Sequence, residues 1–124
     1  MSDCVFRQDG LLLTLVQSDG TATIAWEGVS DSQFPAQFLN PLFQEWIQKV
    51  QGSKVVVDLR RLEYMNSATV MPLIQMVRQL DAEAKQVRVL FLDVDWQRTH
   101  GNCMKAIART LENVQVERQP IAQQ

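Results

Sequence analysis

Apolar and polar residues alternate in a way that predicts three short β-strands at the start of the chain. A dense apolar run covers residues 11–16, and polar and apolar residues alternate over residues 21–26. The Asp-Gly pair at residues 19–20 lies between them and readily adopts the positive φ angles that a two-residue hairpin turn requires. Residues 5–6 predict a further short strand. The first part of the chain is therefore predicted to be an antiparallel ribbon.

Helical periodicity begins after this ribbon. One broad apolar face, predicted to pack on the core, is formed by Phe34, Phe38, Leu39, Leu42, Phe43, Trp46, Ile47 and Val50. Pro35 suits the first turn of this helix, and Gly52 can follow its end. Because proline has no amide hydrogen, Pro41 predicts a kink or a division into two helices.

The rest of the chain alternates between strands and helices. Residues 54–59 and 87–92 are apolar runs with little alternation, which is typical of strands buried on both faces of a parallel sheet. Between them, one apolar stripe of a helix comprises Val70, Leu73, Ile74, Val77 and Leu80. A last short helix is predicted around residues 104–111 and an edge strand over residues 114–117. The order predicts an α/β fold: a mixed sheet with an antiparallel N-terminal ribbon, parallel later strands and helices packed on the sheet.

Composition narrows the possible classes of protein. The 124 residues fit one domain, and a net charge of -2 disfavours a nucleic-acid-binding module, which needs a concentrated basic face. No apolar run approaches the roughly 20 residues that span a bilayer, and the N-terminal residues do not resemble a signal peptide. Two distant cysteines do not form a disulfide scaffold. We expect a single-domain cytoplasmic protein with neither nucleic-acid nor membrane partners.

One strand-to-helix junction carries candidate chemistry. A strand is predicted to end near Asp58, a short polar loop follows, and the pair Asn66 and Ser67 opens a helix. The first amides of a helix lack internal partners, so one of these two side chains can cap them. The same amides and the helix dipole favour a phosphate group. We expect a hydroxyl near residue 67 to face water at this position.

The junction resembles the signature of the STAS domain, the family of sulphate-transporter and anti-sigma-factor-antagonist domains. That signature is an apolar strand ending in Asp-Leu, then an aromatic residue and Met, then Asp-Ser-Ser-Gly-Leu at a helix start. The matching residues here are Val57, Asp58, Leu59, Tyr64, Met65, Asn66, Ser67 and Val70. Element order is compatible over the whole chain, whereas specific matching is confined to about residues 55–77.

The resemblance implies a bacterial signalling protein rather than an enzyme. In stand-alone members of the family, a serine kinase phosphorylates a serine at this helix start and a PP2C-like phosphatase restores it. The unmodified form binds an anti-sigma-type partner, and the modified form releases it. Ser67 is the matching serine, Asp58 and Asn66 would organise the site, and no cofactor is implied. The first turns of the helix, with Met65, Ala68, Met71 and Gln75, would form the partner surface.

Three departures from the signature leave an alternative open. Asn66 replaces Asp, Ala68 replaces the second Ser, and Thr69 replaces Gly. In addition, Pro72 would be better tolerated if the helix began nearer Thr69, which makes Thr69 a second candidate hydroxyl. A STAS-like scaffold or binding module without a phosphorylation switch is therefore the alternative function.

Two further sets of residues could carry out chemistry, but the sequence supports each of them less strongly. Asp58, Asp93 and Asp95 could converge at one sheet edge and hold Mg²⁺ for a small phosphohydrolase, although no phosphate-binding loop accompanies them. His100 and Cys103 have the spacing of metal ligands, but a closed zinc site would need further ligands. We interpret the three aspartates as solvated residues at strand ends, and His100 and Cys103 as ordinary residues of a helix.

Overall fold

The computed structural model of the protein describes residues 2–92 and 95–119. Along the chain the elements are β1 (Ser2–Gln8), β2 (Leu11–Ser18), β3 (Thr21–Ser30), α1 (Ala36–Lys49), β4 (Lys54–Met65), α2 (Ser67–Glu83), β5 (Gln86–Leu92), α3 (Asp95–Ala108) and β6 (Val114–Gln119). The predicted α/β class is confirmed. None of these helices is both long enough and apolar enough to cross a membrane.

The six strands form one mixed sheet whose spatial order follows the chain, β1 to β6. Strands β1, β2 and β3 pair antiparallel, and each later neighbour is parallel. Parallel crossovers are right-handed, so three crossovers that advance in one direction place their helices on one face of the sheet. In agreement, buried side chains of α1, α2 and α3 belong to a single core with one face of the strands.

The predicted N-terminal ribbon is confirmed, with β1 longer than expected. The predicted turn between β2 and β3 has positive φ at both Asp19 (53°) and Gly20 (78°). A second Asp-Gly pair links β1 to β2, and its Asp9 also has a φ of 53°. This second pair is the sequence signal that could have predicted the full length of β1.

A close approach inside the ribbon requires glycine at residue 28. Gly28 has a φ of 88°, and a Cβ there would lie 2.1 Å from the carbonyl oxygen of Gly10. That oxygen accepts a hydrogen bond from the amide of Val29 at 3.0 Å. The register between β3 and β4 shifts between Gly28 and Val29, where β4 contains one extra residue, so a bulge in β4 lies beside this glycine.

The helices differ from the prediction at their ends. Pro41 lies inside an unbroken α1, so of the two predicted outcomes, a kink or a division into two helices, the division does not occur. Phe34 precedes α1 and is 60% exposed, so its assignment to the core face is also wrong. Helix α3 begins at Asp95, earlier than predicted, and Met104 is one of its buried residues.

Strand β4 is longer than predicted, and one of its two faces is less buried than predicted. It continues to Met65 because β3 runs beside it to that point, whereas β5 pairs with it only as far as Asp58. Val55 and Val57 are buried while the intervening Val56 is half-buried, so the prediction of burial on both faces is wrong. The reason is that helices cover only one face of the sheet.

Candidate functional site

The junction between β4 and α2 is direct, without the predicted loop. Asn66 is the N-cap of α2 with extended backbone angles (φ -76°, ψ 169°), and Ser67 is the first helical residue. The side chain of Ser67 is exposed. Among the described residues, its hydroxyl has no hydrogen-bond partner. The helix thus starts at the predicted pair, and Asn66 rather than Ser67 caps it.

Asn66 caps the helix through Thr69. Its Oδ1 accepts hydrogen bonds from the Thr69 amide at 3.1 Å and from the Thr69 hydroxyl at 2.7 Å. The Thr69 hydroxyl also lies 2.7 Å from the hydroxyl of Ser30. Because an amide oxygen only accepts, the single hydroxyl proton of Thr69 goes to Asn66, and Ser30 must donate to Thr69. The orientation of this chain of hydrogen bonds is therefore determined.

The same network joins the start of α2 to the end of β3. The Nδ2 of Asn66 donates to the carbonyl oxygen of Ser32 at 2.8 Å, and its backbone amide donates to the carbonyl of Ser30 at 2.9 Å. Ser30 and Thr69 are buried, and every member of the network is uncharged. The first turn of α2 is consequently held without any contribution from the Ser67 hydroxyl.

The network separates the two candidate hydroxyls. Thr69 is fully buried, and its oxygen takes part in two side-chain hydrogen bonds. Modification there would require the helix start to open, so the structure does not support Thr69 as the alternative acceptor. The later helix start that suggested Thr69 is wrong, since α2 begins at Ser67 and continues through Pro72. Pro72 only removes the amide that would bond to the carbonyl of Ala68.

Three of the four predicted partner residues lie on the surface. Ala68, Met71 and Gln75 are exposed, Met71 at 54%, and Ser67, Met71 and Gln75 follow one another at intervals of four residues along α2. Met65 is 2% exposed, so its prediction as a partner contact is wrong. It is the last residue of β4, pairs in register with Ser30 and faces the core.

Two exposed aromatic residues, which were not among the predicted partner residues, belong to the segments that meet at the start of α2. Phe34 follows Ser32, whose carbonyl accepts from Asn66, and Tyr64 (47% exposed) lies two residues before Asn66. We call the exposed residues of the first turns of α2 the α2 patch: Ser67, Ala68, Met71 and Gln75. The Pro35 that precedes α1 was the signal that could have placed Phe34 outside the helix.

A shallow groove between α1 and α2 borders the patch. Its lining includes the amide side chains of Asn40, Gln44, Gln75 and Gln79, together with Pro72. Gln75 belongs to both the groove and the α2 patch. The surface around Ser67 is thus a mixture of apolar and uncharged amide side chains.

Asp58 does not take part in the hydrogen-bond network at the start of α2. It is within β4, and its carboxylate accepts from the backbone amide and the guanidinium of Arg60 at 2.9–3.0 Å. Burial acts to raise the pKa of Asp58, but the hydrogen bonds and charge of Arg60 outweigh it and hold this pKa below its ordinary value. Asp58 therefore organises Arg60 and not the α2 opening, and its predicted place in the site is wrong.

The described residues offer little to the carboxylate and metal interpretations. Asp93 lies outside the described residues, and so does the side chain of Asp95. Elsewhere in the described chain, no group of three or more His, Cys, Asp or Glu side chains could hold a metal ion. Cys103 is exposed on α3, and Cys4 lies in β1.

Comparison of the chain with protein-family models and with curated proteins finds no match.

Proposed function

We propose that the protein is a STAS-like signalling protein whose α2 patch binds a partner and releases it when Ser67 is phosphorylated. The observation that carries the proposal is an exposed hydroxyl on the first residue of α2, beside exposed apolar side chains. The resemblance of residues 55–77 to the STAS signature suggests the class of partner. Those partners are a serine kinase of the anti-sigma type and a PP2C-like phosphatase, in the cytoplasm of a bacterium.

The start of α2 can accept a phosphate without losing its fold. Phosphorylation adds about 1.5 to 2 negative charges, which the free amides and dipole of a helix N-terminus stabilise. The first turn of α2 contains no acidic residue that would oppose this charge. Because Asn66 makes the cap, modification of the Ser67 oxygen breaks no hydrogen bond of the described network.

The same charge would strongly affect the binding of a partner protein to the α2 patch. An interface over the α2 patch would enclose Ser67 together with the side chains of Ala68 and Met71. Enclosing a dianion there without a matching cation is unfavourable, so phosphorylation would favour release. The protein has no catalytic role in this scheme, because the kinase transfers the γ-phosphoryl group of ATP to the serine Oγ.

The test is phosphate mapping with a serine kinase of the anti-sigma type. After incubation with ATP, mass spectrometry is expected to find phosphate on Ser67, and Ser67→Ala is expected to abolish it. Ser18→Ala is the matched control, because Ser18 is exposed at the end of β2, away from α2. Phosphate on another residue, or phosphate on Ser67→Ala, would contradict the assignment.

Binding measurements test the switch itself. Ser67→Glu is expected to weaken kinase binding at least tenfold, whereas Ser18→Glu leaves it unchanged. Met71→Ala should weaken binding whether or not Ser67 is modified, since it removes an exposed contact of the α2 patch. If Ser67 stays unmodified and the partner still binds, the result would instead support the scaffold alternative. The departures from the signature at Asn66 and Thr69 favour that alternative.

A further inference from the structure

Strand β1 is an edge of the sheet and lacks the proline or bulge that often protects such a strand from pairing with another. Its seven residues contain no proline, glycine or lysine, and its register with β2 is unbroken from Ser2 to Gln8. In the part of the chain that the structure describes, no strand pairs with its outer side. Edge strands of this kind are templates for another strand.

The side chains of β1 are complementary to those of a second β1. An antiparallel pairing centred on Val5 places Asp3 of one copy opposite Arg7 of the other, and does so twice. The same register places Val5 opposite Val5 and Cys4 opposite Phe6. Opposite charges that face each other across an antiparallel pair stabilise it, whereas like charges destabilise it. We propose that β1 is a dimerisation strand that pairs with β1 of a second copy about a twofold axis through Val5.

The backbone is oriented for this pairing. In a hairpin with a two-residue turn, the residues that flank the turn bond to each other, here Gln8 and Leu11. Bonding to β2 then recurs at every second residue, so the backbone groups of Asp3, Val5 and Arg7 point away from β2. These are the residues that the proposed register brings opposite one another.

Pairing would also remove apolar surface from water on both faces of the strand. Val5 is 62% exposed on the face that no helix covers. Cys4 and Phe6 are half-buried on the core face, where Phe6 stacks on Phe38 of α1 with ring centroids 5.7 Å apart. A twofold axis perpendicular to the sheet keeps these faces aligned, so the helices of both copies lie on the same side.

The dimer does not depend on the proposed switch. β1 is three strands away from β4, at whose end the α2 patch lies. We therefore expect Ser67→Glu to leave self-association unchanged, which makes failure of the switch distinguishable from failure of the dimer.

Charge exchange is the first test. Sedimentation over a wide range of concentrations is expected to show a monomer–dimer equilibrium for the full chain. Asp3→Arg alone, or Arg7→Asp alone, should raise the dissociation constant by about tenfold or more, because two symmetry-related contacts change from attraction to repulsion. The double exchange Asp3→Arg/Arg7→Asp should restore association. A monomer at every concentration, or single variants that associate like wild type, would overturn the proposal.

Cross-linking tests the register. In a background with Cys4→Ser and Cys103→Ser, Val5→Cys should form an intermolecular disulfide, since opposed residues in an antiparallel pair have suitable Cα separations. Arg7→Cys is the matched control, because the introduced thiols would be displaced along the strands by four residues. Equal cross-linking of both variants would contradict the twofold at Val5.

Proline supplies a variant that keeps the fold. Val5→Pro removes only an outward-pointing amide, which an edge strand tolerates. It should abolish dimerisation without lowering the unfolding transition of the monomer. A dimer that persists in this variant would show that another surface is responsible.

Discussion

Asn66 does two things that no carboxylate could do together. Its Oδ1 accepts from Thr69, and its Nδ2 donates to the carbonyl oxygen of Ser32. An aspartate could replace the acceptor but would place an oxygen against the Ser32 carbonyl at 2.8 Å. The position of the β3–α1 connection therefore explains why residue 66 is an asparagine and not an aspartate.

Asn66→Asp is expected to lower the free energy of unfolding by about 1–2 kcal/mol, the usual effect of a lost hydrogen bond and an unpaired acceptor. Asn66→Ala should lose the cap as well, with a comparable or larger effect. Urea unfolding monitored by circular dichroism measures both. Wild-type stability for Asn66→Asp would mean that the donor to Ser32 contributes nothing.

At the scale of elements, Gln97 compensates for the early separation of β4 and β5. Because β5 pairs with β4 only as far as Asp58, later carbonyls of β4 need other donors. The buried Nε2 of Gln97, on α3, donates to the carbonyls of Leu59 (3.1 Å) and Leu62 (2.9 Å). Its Oε1 accepts from the amide of Leu92 at 2.7 Å. One side chain thus connects α3 to the ends of two strands.

Gln97→Leu should lower the free energy of unfolding by about 3 kcal/mol, because it leaves several buried backbone groups without partners. Gln79→Leu, at an exposed position of α2, is the matched control and should change stability by no more than about 0.5 kcal/mol. Denaturant titration gives both values, and hydrogen exchange at the Leu92 amide should accelerate only in Gln97→Leu. Equal stabilities of the two variants would contradict this account.

For the whole molecule, the coverage of the sheet on one side is the dominant feature. The uncovered face carries ion pairs rather than a second layer of helices. Asp58 with Arg60, at 2.9 Å, and Arg88 with Glu117, at 2.6 Å, alternate with residues that face the core. The hydrogen bonds from Arg88 hold the pKa of Glu117 below its ordinary value, as those from Arg60 do for Asp58.

These depressed pKa values make the stability of the whole fold pH-dependent in a definite direction. A carboxyl whose pKa is lower in the folded state stabilises that state above its unfolded pKa, and the contribution is lost as pH falls through the folded value. Arg60→Met should therefore be less stable than wild type at neutral pH, and the difference should shrink below about pH 4. Unfolding at a series of pH values measures it. A difference that stays constant with pH would show that the pKa of Asp58 is not lowered by Arg60.

Local patterns accounted for most of the elements and for the position of Ser67. Alternating and helical periods predicted the order of strands and helices, and the Asp-Gly pair predicted the β2–β3 turn. The extension of β4, the burial of Met65 and the role of Gln97 left no signal in local pattern. Each of these features depends on which strand lies beside β4 and on how far the pairing between the two strands continues.

The sequence by itself determined that this chain alternates strands with helices and that the pair Asn66 and Ser67 opens a helix. Both follow from short-range preferences that operate within a few residues. Only the tertiary structure decided that all three helices cover the same face, that Thr69 is buried in a hydrogen-bond network with Ser30, and that β1 is an edge strand of the sheet that the described residues form. These depend on contacts between residues far apart in the chain, whose pairing is set by the order and register of the strands and not by any one segment.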